Sequence, residues 1–147
     1  MYEVLFICAA NVGRSQMAEG FYNYYSQGHN ARSAAGIQDV GLKYNFKPHP
    51  LITAVMQEHG VDISPHRVKM INRSLVDDAR KIILFCEPEL IRPDLSELLV
   101  YQKDRQYIPI KDPYTNGNLK TEEELKDKFR YTRDKIEEVI RKMFHIP

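Results

Sequence analysis

Tyr2-Glu3-Val4-Leu5-Phe6-Ile7-Cys8-Ala9-Ala10-Asn11-Val12-Gly13-Arg14-Ser15 is the stretch on which the fold of this chain turns. Residues 2–8 form a nearly continuous apolar run, the pattern of a strand buried on both faces. Beyond the stretch, Met17, Ala18, Phe21, Tyr24 and Tyr25 recur at helical spacing. They predict a helix from Ser15 to about Ser26 that Gly28 can stop. The residues between Cys8 and Arg14 must then form a tight loop that opens onto a helix N-terminus. Backbone N–H groups point outward there without intrahelical partners and favour an anion. The same field favours a thiolate over a thiol. Arg14 carries a planar fork able to hold a tetrahedral oxyanion through two hydrogen bonds. C-x5-R-S in this setting reads as a phosphate cradle with a nucleophile at its floor.

Downstream the pattern keeps alternating. Residues 30–35 are short and polar, and are read as a parallel strand because the alternation needs one there. Residues 36–49 form a Gly- and Pro-punctuated loop. Pro50 suits the first turn of a helix running to about His59, and Gly60 suits its end. Leu75 and Val76 suggest a short helix. Lys81-Ile82-Ile83-Leu84-Phe85-Cys86 is a second buried strand, broken by Glu87-Pro88. Leu95, Leu98 and Leu99 give a helix after Pro93, and Gln106-Tyr107-Ile108 a last strand. Thr121 and Glu124 have capping-box spacing. Leu125, Phe129, Ile136, Val139, Ile140 and Met143 mark a long amphipathic helix behind them. The fold class is therefore α/β: a single doubly wound domain over residues 1–147, a four-stranded parallel sheet flanked by helices, with right-handed crossovers. Ligands of such sheets sit beyond the carboxyl ends of the strands. Element order alone puts Cys8, Cys86 and Asp112 on that rim.

The 147 residues fit one core. A net charge of +1, with no long basic run, argues against a nucleic-acid or anionic-membrane partner. The two cysteines, Cys8 and Cys86, lack metal-ligand spacing. No signal peptide or membrane-spanning stretch is visible, so a cytoplasmic chain with reduced thiols is expected.

Cys8 to Ser15, the continuation Gln16-Met17-Ala18-Glu19, the strand ending at Cys86, and the late Asp112-Pro113-Tyr114 together resemble the low-molecular-weight protein tyrosine phosphatases. They also resemble the structurally related thiol-dependent arsenate reductases. The resemblance covers nearly the whole chain. It implies a hydrolase acting on phosphotyrosine-bearing protein without metal or cofactor. Cys8 would attack phosphorus and form a phosphocysteine. The backbone of Ala9, Ala10, Asn11, Val12, Gly13 and Arg14, with the Arg14 guanidinium, would bind the phosphate oxygens. Asp112 would serve as general acid and then base. Ser15 would hydrogen-bond the thiolate, and Asn11 would hold the loop's left-handed turn with a serine such as Ser33. Tyr114 would contribute an aromatic wall, with Tyr44 and Phe46 as candidates for the other.

Taken singly, these residues have plainer readings. A cysteine after a buried strand is ordinarily a small core residue. Asp112-Pro113 alone is an ordinary turn opener, and gains a catalytic reading only through Cys8 and Arg14. Asn11 and Ser15 suit helix caps, and His66-Arg67 a surface turn.

Two departures bear on function. Gly13 stands where many family members carry a second cysteine, so their protective disulfide cannot form in the same way. Thr115 follows Tyr114 where another tyrosine is common, and the chain has no tryptophan. Cys86, by contrast, falls near the place of a resolving thiol in the arsenate reductases. It would attack a Cys8–arsenic adduct to form a Cys8–Cys86 disulfide, reduced by thioredoxin or glutaredoxin. Cys86 equally reads as a buried structural thiol. Tyrosine phosphatase ranks first, arsenate reductase second, and a non-catalytic binder of phosphate or another small oxyanion third.

Overall fold

In a computed structural model describing residues 1–100, 104–113 and 121–147, the first apolar run forms strand β1, Tyr2–Cys8. It is flanked by β2 (Ala31–Ala35) and β3 (Ala79–Leu84), and β4 (Arg105–Tyr107) extends the sheet past β3. All neighbours pair parallel in the order β2-β1-β3-β4. The α/β architecture read from the alternation is thus the one observed. Side chains of β1 alternate between two cores. Val4, Phe6 and Cys8 face a layer built on α1 (Arg14–Ser26), α2 (Pro50–Gln57) and α5 (Glu122–Met143). Leu5 and Ile7 face the side of α3 (Arg73–Asp77) and α4 (Pro93–Leu99). This period of two is why one strand can serve both layers. Phe6 and Phe85 stack at 5.7 Å in the first core, beneath Phe21 and Phe129.

Boundaries moved by a residue or two. α1 ends at Ser26, because Gln27 itself takes the left-handed conformation at φ = 55° and Gly28 N–H closes back on Asn23 O at 3.1 Å. Gly28 is therefore not the stop. β3 starts earlier than expected, at Ala79, and pairing with β1 ends at Ile7↔Leu84, which leaves Cys86 beyond the strand. β4 ends at Tyr107, although Ile108 N–H still donates to Leu84 O at 2.8 Å. Thr121 caps α5 by accepting from Glu124 N–H at 3.1 Å. Glu122, Glu123 and Glu124 lie in its first turn and Arg141 and Lys142 in its last, each complementing the helix dipole. Among the described residues, no helix is long and apolar enough to cross a membrane.

Candidate active site

The Cys8–Arg14 loop closes a pocket of about 360 Å³ at the carboxyl end of β1. Cys8, Ala9, Ala10, Val12, Gly13 and Arg14 line its inner part. Cys8 is only 3% exposed. Its Sγ accepts the Asn11 backbone N–H at 3.3 Å and lies 2.9 Å from Ser15 Oγ. The sulfur thus has two hydrogen-bond partners from its own loop and the start of α1.

Asn11 makes the loop possible. It sits at φ = 61°, a left-handed backbone that Asn tolerates better than most residues. Its Nδ2 donates to Ser15 Oγ at 2.7 Å and to Ser33 Oγ at 2.9 Å. Its Oδ1 accepts from Gln16 Nε2 at 3.0 Å and from Lys69 N–H at 3.0 Å. Asn11 and Ser15 are wholly buried and do not line the pocket; they act from behind it. Neither is a helix cap. Gly13 holds the N-cap position of α1 without a side-chain bond.

Arg14 is anchored by its Nη1, which donates to Phe85 O at 3.2 Å and to Ile110 O at 2.8 Å. The second of these ties the cradle to the segment that carries Asp112. Asp112 Oδ2 lies 3.8 Å from Arg14 Nη2, and Asp112 and Pro113 line the same pocket as Cys8. Opposite them stand Gln38, Val40, Lys43 and Tyr44. Of the two aromatics read as candidates for that wall, Tyr44 is among the lining residues. Phe46 is not: it lies at φ = 56° against Gly41, with the Arg67 guanidinium 5.3 Å from its ring centre. Tyr114 and Thr115 lie outside the described residues.

Cys86 shares the rim but not the pocket. It belongs to the α3–α4 core, whereas Cys8 belongs to the α1–α5 core. Burial, joined by the Cys8 charge and opposed by Arg14, pushes the Cys86 thiol up to about 11. That combination disfavours a Cys86 thiolate near neutral pH.

A network behind the loop escaped the sequence reading. Gln16 Nε2 also bonds Asn11 O and Arg67 O, each at 3.1 Å, while Gln16 Oε1 meets His66 Nδ1 at 2.9 Å. Glu19 accepts from Ser33 Oγ at 2.6 Å and lies 3.5 Å from His66 Nε2. His66 is thus built into the site's support rather than being part of a surface turn, and burial pulls its imidazole below the ordinary value. The signal was faint: Gln16 and Glu19 stand at i, i+3 on one face of α1.

Residues 3–146 match the family model of the low molecular weight phosphotyrosine protein phosphatases, and the chain belongs to that family. Its relatives divide between two chemistries. A glutaredoxin arsenate reductase of Synechocystis is 35% identical over 86 residues, 58% of this chain and 61% of that protein. The matched part is thus less than two thirds of that relative. A probable low molecular weight protein-tyrosine-phosphatase, EpsP, of Ralstonia solanacearum is 27% identical over 83% of this chain and 85% of its own. The fold superposes on the low molecular weight protein tyrosine phosphatase of T. tengcongensis with a TM-score of 0.74 and 23% identity, covering 99% of each chain.

Proposed function

We propose that this chain is a protein tyrosine phosphatase that hydrolyses aryl phosphate monoesters through a phosphocysteine on Cys8. One observation carries the reading: a carboxylate, Asp112, and an aromatic ring, Tyr44, stand over the Cys8 cradle in a single pocket with Arg14. A free oxyanion has no use for a ring beside it, whereas a phosphotyrosine side chain does. In the first step Cys8 sulfur attacks phosphorus as the P–O bond to the tyrosine breaks. Protonated Asp112 gives its proton to the departing oxygen. Arg14 and the loop amides hold the three equatorial oxygens throughout. In the second step the Asp112 carboxylate takes a proton from water, the water oxygen bonds phosphorus, and the S–P bond breaks to return the thiolate and release phosphate. The residues needed for both steps are protein groups.

Arsenate reductase is the second reading. It is favoured by Cys86 lying near enough for the Cys8 charge to act on it. Thioredoxin or glutaredoxin would then be the partner. The opposed cores and the raised Cys86 thiol weigh against it. A non-catalytic oxyanion binder would leave Asp112 and the Cys8–Ser15 contact without a role.

Turnover of p-nitrophenyl phosphate and phosphotyrosine, measured beside arsenate reduction with glutathione–glutaredoxin or thioredoxin, separates these readings. Phosphate release that is lost in Cys8→Ser and retained in Cys86→Ser is the expected result. Arsenite formation lost in both variants would replace the phosphatase reading with the reductase.

A further inference from the structure

A second cavity, of about 620 Å³, opens beside the cradle and shares Ala9, Arg14 and Asp112 with it. It runs away from Tyr44, along Ile37, Cys86, Leu90, Tyr107, Pro109 and Lys111. Its outer lip is wet and mixed, with Leu90 and Tyr107 beside the charged Glu87 and Lys111. Leu90, on the 3-10 turn Pro88–Leu90, is 55% exposed, and Tyr107, on β4, is 42% exposed. Lone exposed apolar side chains are unremarkable in proteins, but a pair lining one groove that continues an active site calls for an occupant.

We infer that this groove is a subsite for the peptide around the phosphotyrosine, and that it seats a large apolar side chain flanking the phosphorylated residue between Leu90 and Tyr107. The inference rests on the phosphatase reading. The argument is continuity: the groove meets the cradle along Ala9, Arg14 and Asp112, so a peptide whose phosphotyrosine ring lies between Tyr44 and Asp112–Pro113 would pass over it. Inorganic phosphate or arsenate would fill the cradle and never reach Leu90. A peptide substrate would use the groove as well as the cradle, and the Leu90 and Tyr107 side chains suit Leu, Ile, Met or Phe. Partial burial of such a side chain makes a preference of about tenfold over Ala the expected scale.

The test compares one phosphotyrosine peptide carrying Leu or Ala at each flanking position in turn. Wild type, Leu90→Gln and Tyr107→Thr are assayed on these peptides and on p-nitrophenyl phosphate. The wild type should favour Leu about tenfold in kcat/KM on one side of the phosphotyrosine. Both variants should lose most of that preference while p-nitrophenyl phosphate turnover stays within about twofold. The binding of the same peptides to Cys8→Ser gives a reading independent of turnover. Leu-dependent binding without hydrolysis of any aryl phosphate would sink the phosphatase reading and leave the groove standing. Hydrolysis with no difference between Leu and Ala would sink the groove alone. So would variants that slow glutaredoxin-coupled arsenate reduction and leave peptide preference untouched, since the groove would then dock a redox protein.

Discussion

At Asn11 a strained backbone and a saturated side chain meet. Its left-handed φ of 61° is held by two donations and two acceptances, all inside the protein. Ala at this position would keep the strain and leave Ser15, Ser33, Gln16 and Lys69 N–H to find new partners. Unmet buried groups cost about 1–3 kcal/mol each, with partial rescue by rearrangement. Asn11→Ala is therefore expected to lose about 2 kcal/mol or more in urea unfolding. Its kcat should fall at least about tenfold, because Ser15 would no longer be aimed at Cys8. A variant of unchanged stability and full activity would refute the support role. Asp112 makes a different kind of prediction. As general acid it matters most when the leaving oxygen is basic, so Asp112→Asn should lower kcat on phenyl phosphate by about 10²–10⁴. The loss on p-nitrophenyl phosphate should be smaller. Equal losses on both esters would mean that the substitution disturbs the pocket rather than proton transfer.

Among the elements, α1 opens at the Cys8–Arg14 loop and is clamped at its middle. A Cβ built on Gly20 would lie 2.7 Å from Ile63 Cγ2, 3.1 Å from Val61 Cγ1 and 3.2 Å from Met56 Cε. Met56 and Ile63 are fully buried, and Ile63 is β-branched, so its methyl has little room to turn aside. Gly20→Ala would gain up to about 1 kcal/mol in helix propensity. Overpacking costs about 1–3 kcal/mol, so a net loss of about 1 kcal/mol is expected in denaturant melts. A stabilised variant would show that α1 can shift away from the Val61–Ile63 segment. The elements were more legible than their contacts. β1, β3 and α5 announce themselves by apolar runs or periodicity, since each meets a core on a regular face. β2 gives only a faint apolar signal, because its buried positions are three alanines and Ser33, which is buried to serve Asn11. Cys8, Arg14 and Asp112 were legible because one loop and one rim bring them together. The facing wall was only partly so: Val40 and Lys43 come from an irregular loop, whose shape no period encodes. The face taken by Cys86 depends on the parity of the residues after a strand whose end moved. The Gln16–His66 contact joins residues far apart in sequence, beyond the reach of local pattern.

For the molecule as a whole, α5 must stay fastened to α1 and α2 if the core beneath the cradle is to hold. The apolar seam of Phe129, Ile136 and Ile140 supplies most of that. An ionic clasp reinforces it at the end of α2. Glu58 accepts from Arg133 Nη1 at 2.7 Å and from Arg130 Nη2 at 2.8 Å, and Arg133, mostly buried, also donates to Val55 O at 2.8 Å. The two arginines pull the Glu58 carboxyl from 4.5 down to about 2. A group whose folded value is depressed stabilises the fold fully above its unfolded value and loses that contribution as pH falls toward the folded one. The clasp should thus be intact at neutral pH and weaken between about pH 4.5 and pH 2. The Glu58 side chain is 37% exposed, so water and salt screen the pair and its worth is modest. The expected signature is a difference between two curves. Glu58→Gln should melt below the wild type near neutral pH, and the gap should close as both are acidified through that window. Added salt near pH 7 should narrow the gap as well. A gap that persists undiminished near pH 2 would assign the loss to packing of the Glu58 side chain, not to its charge.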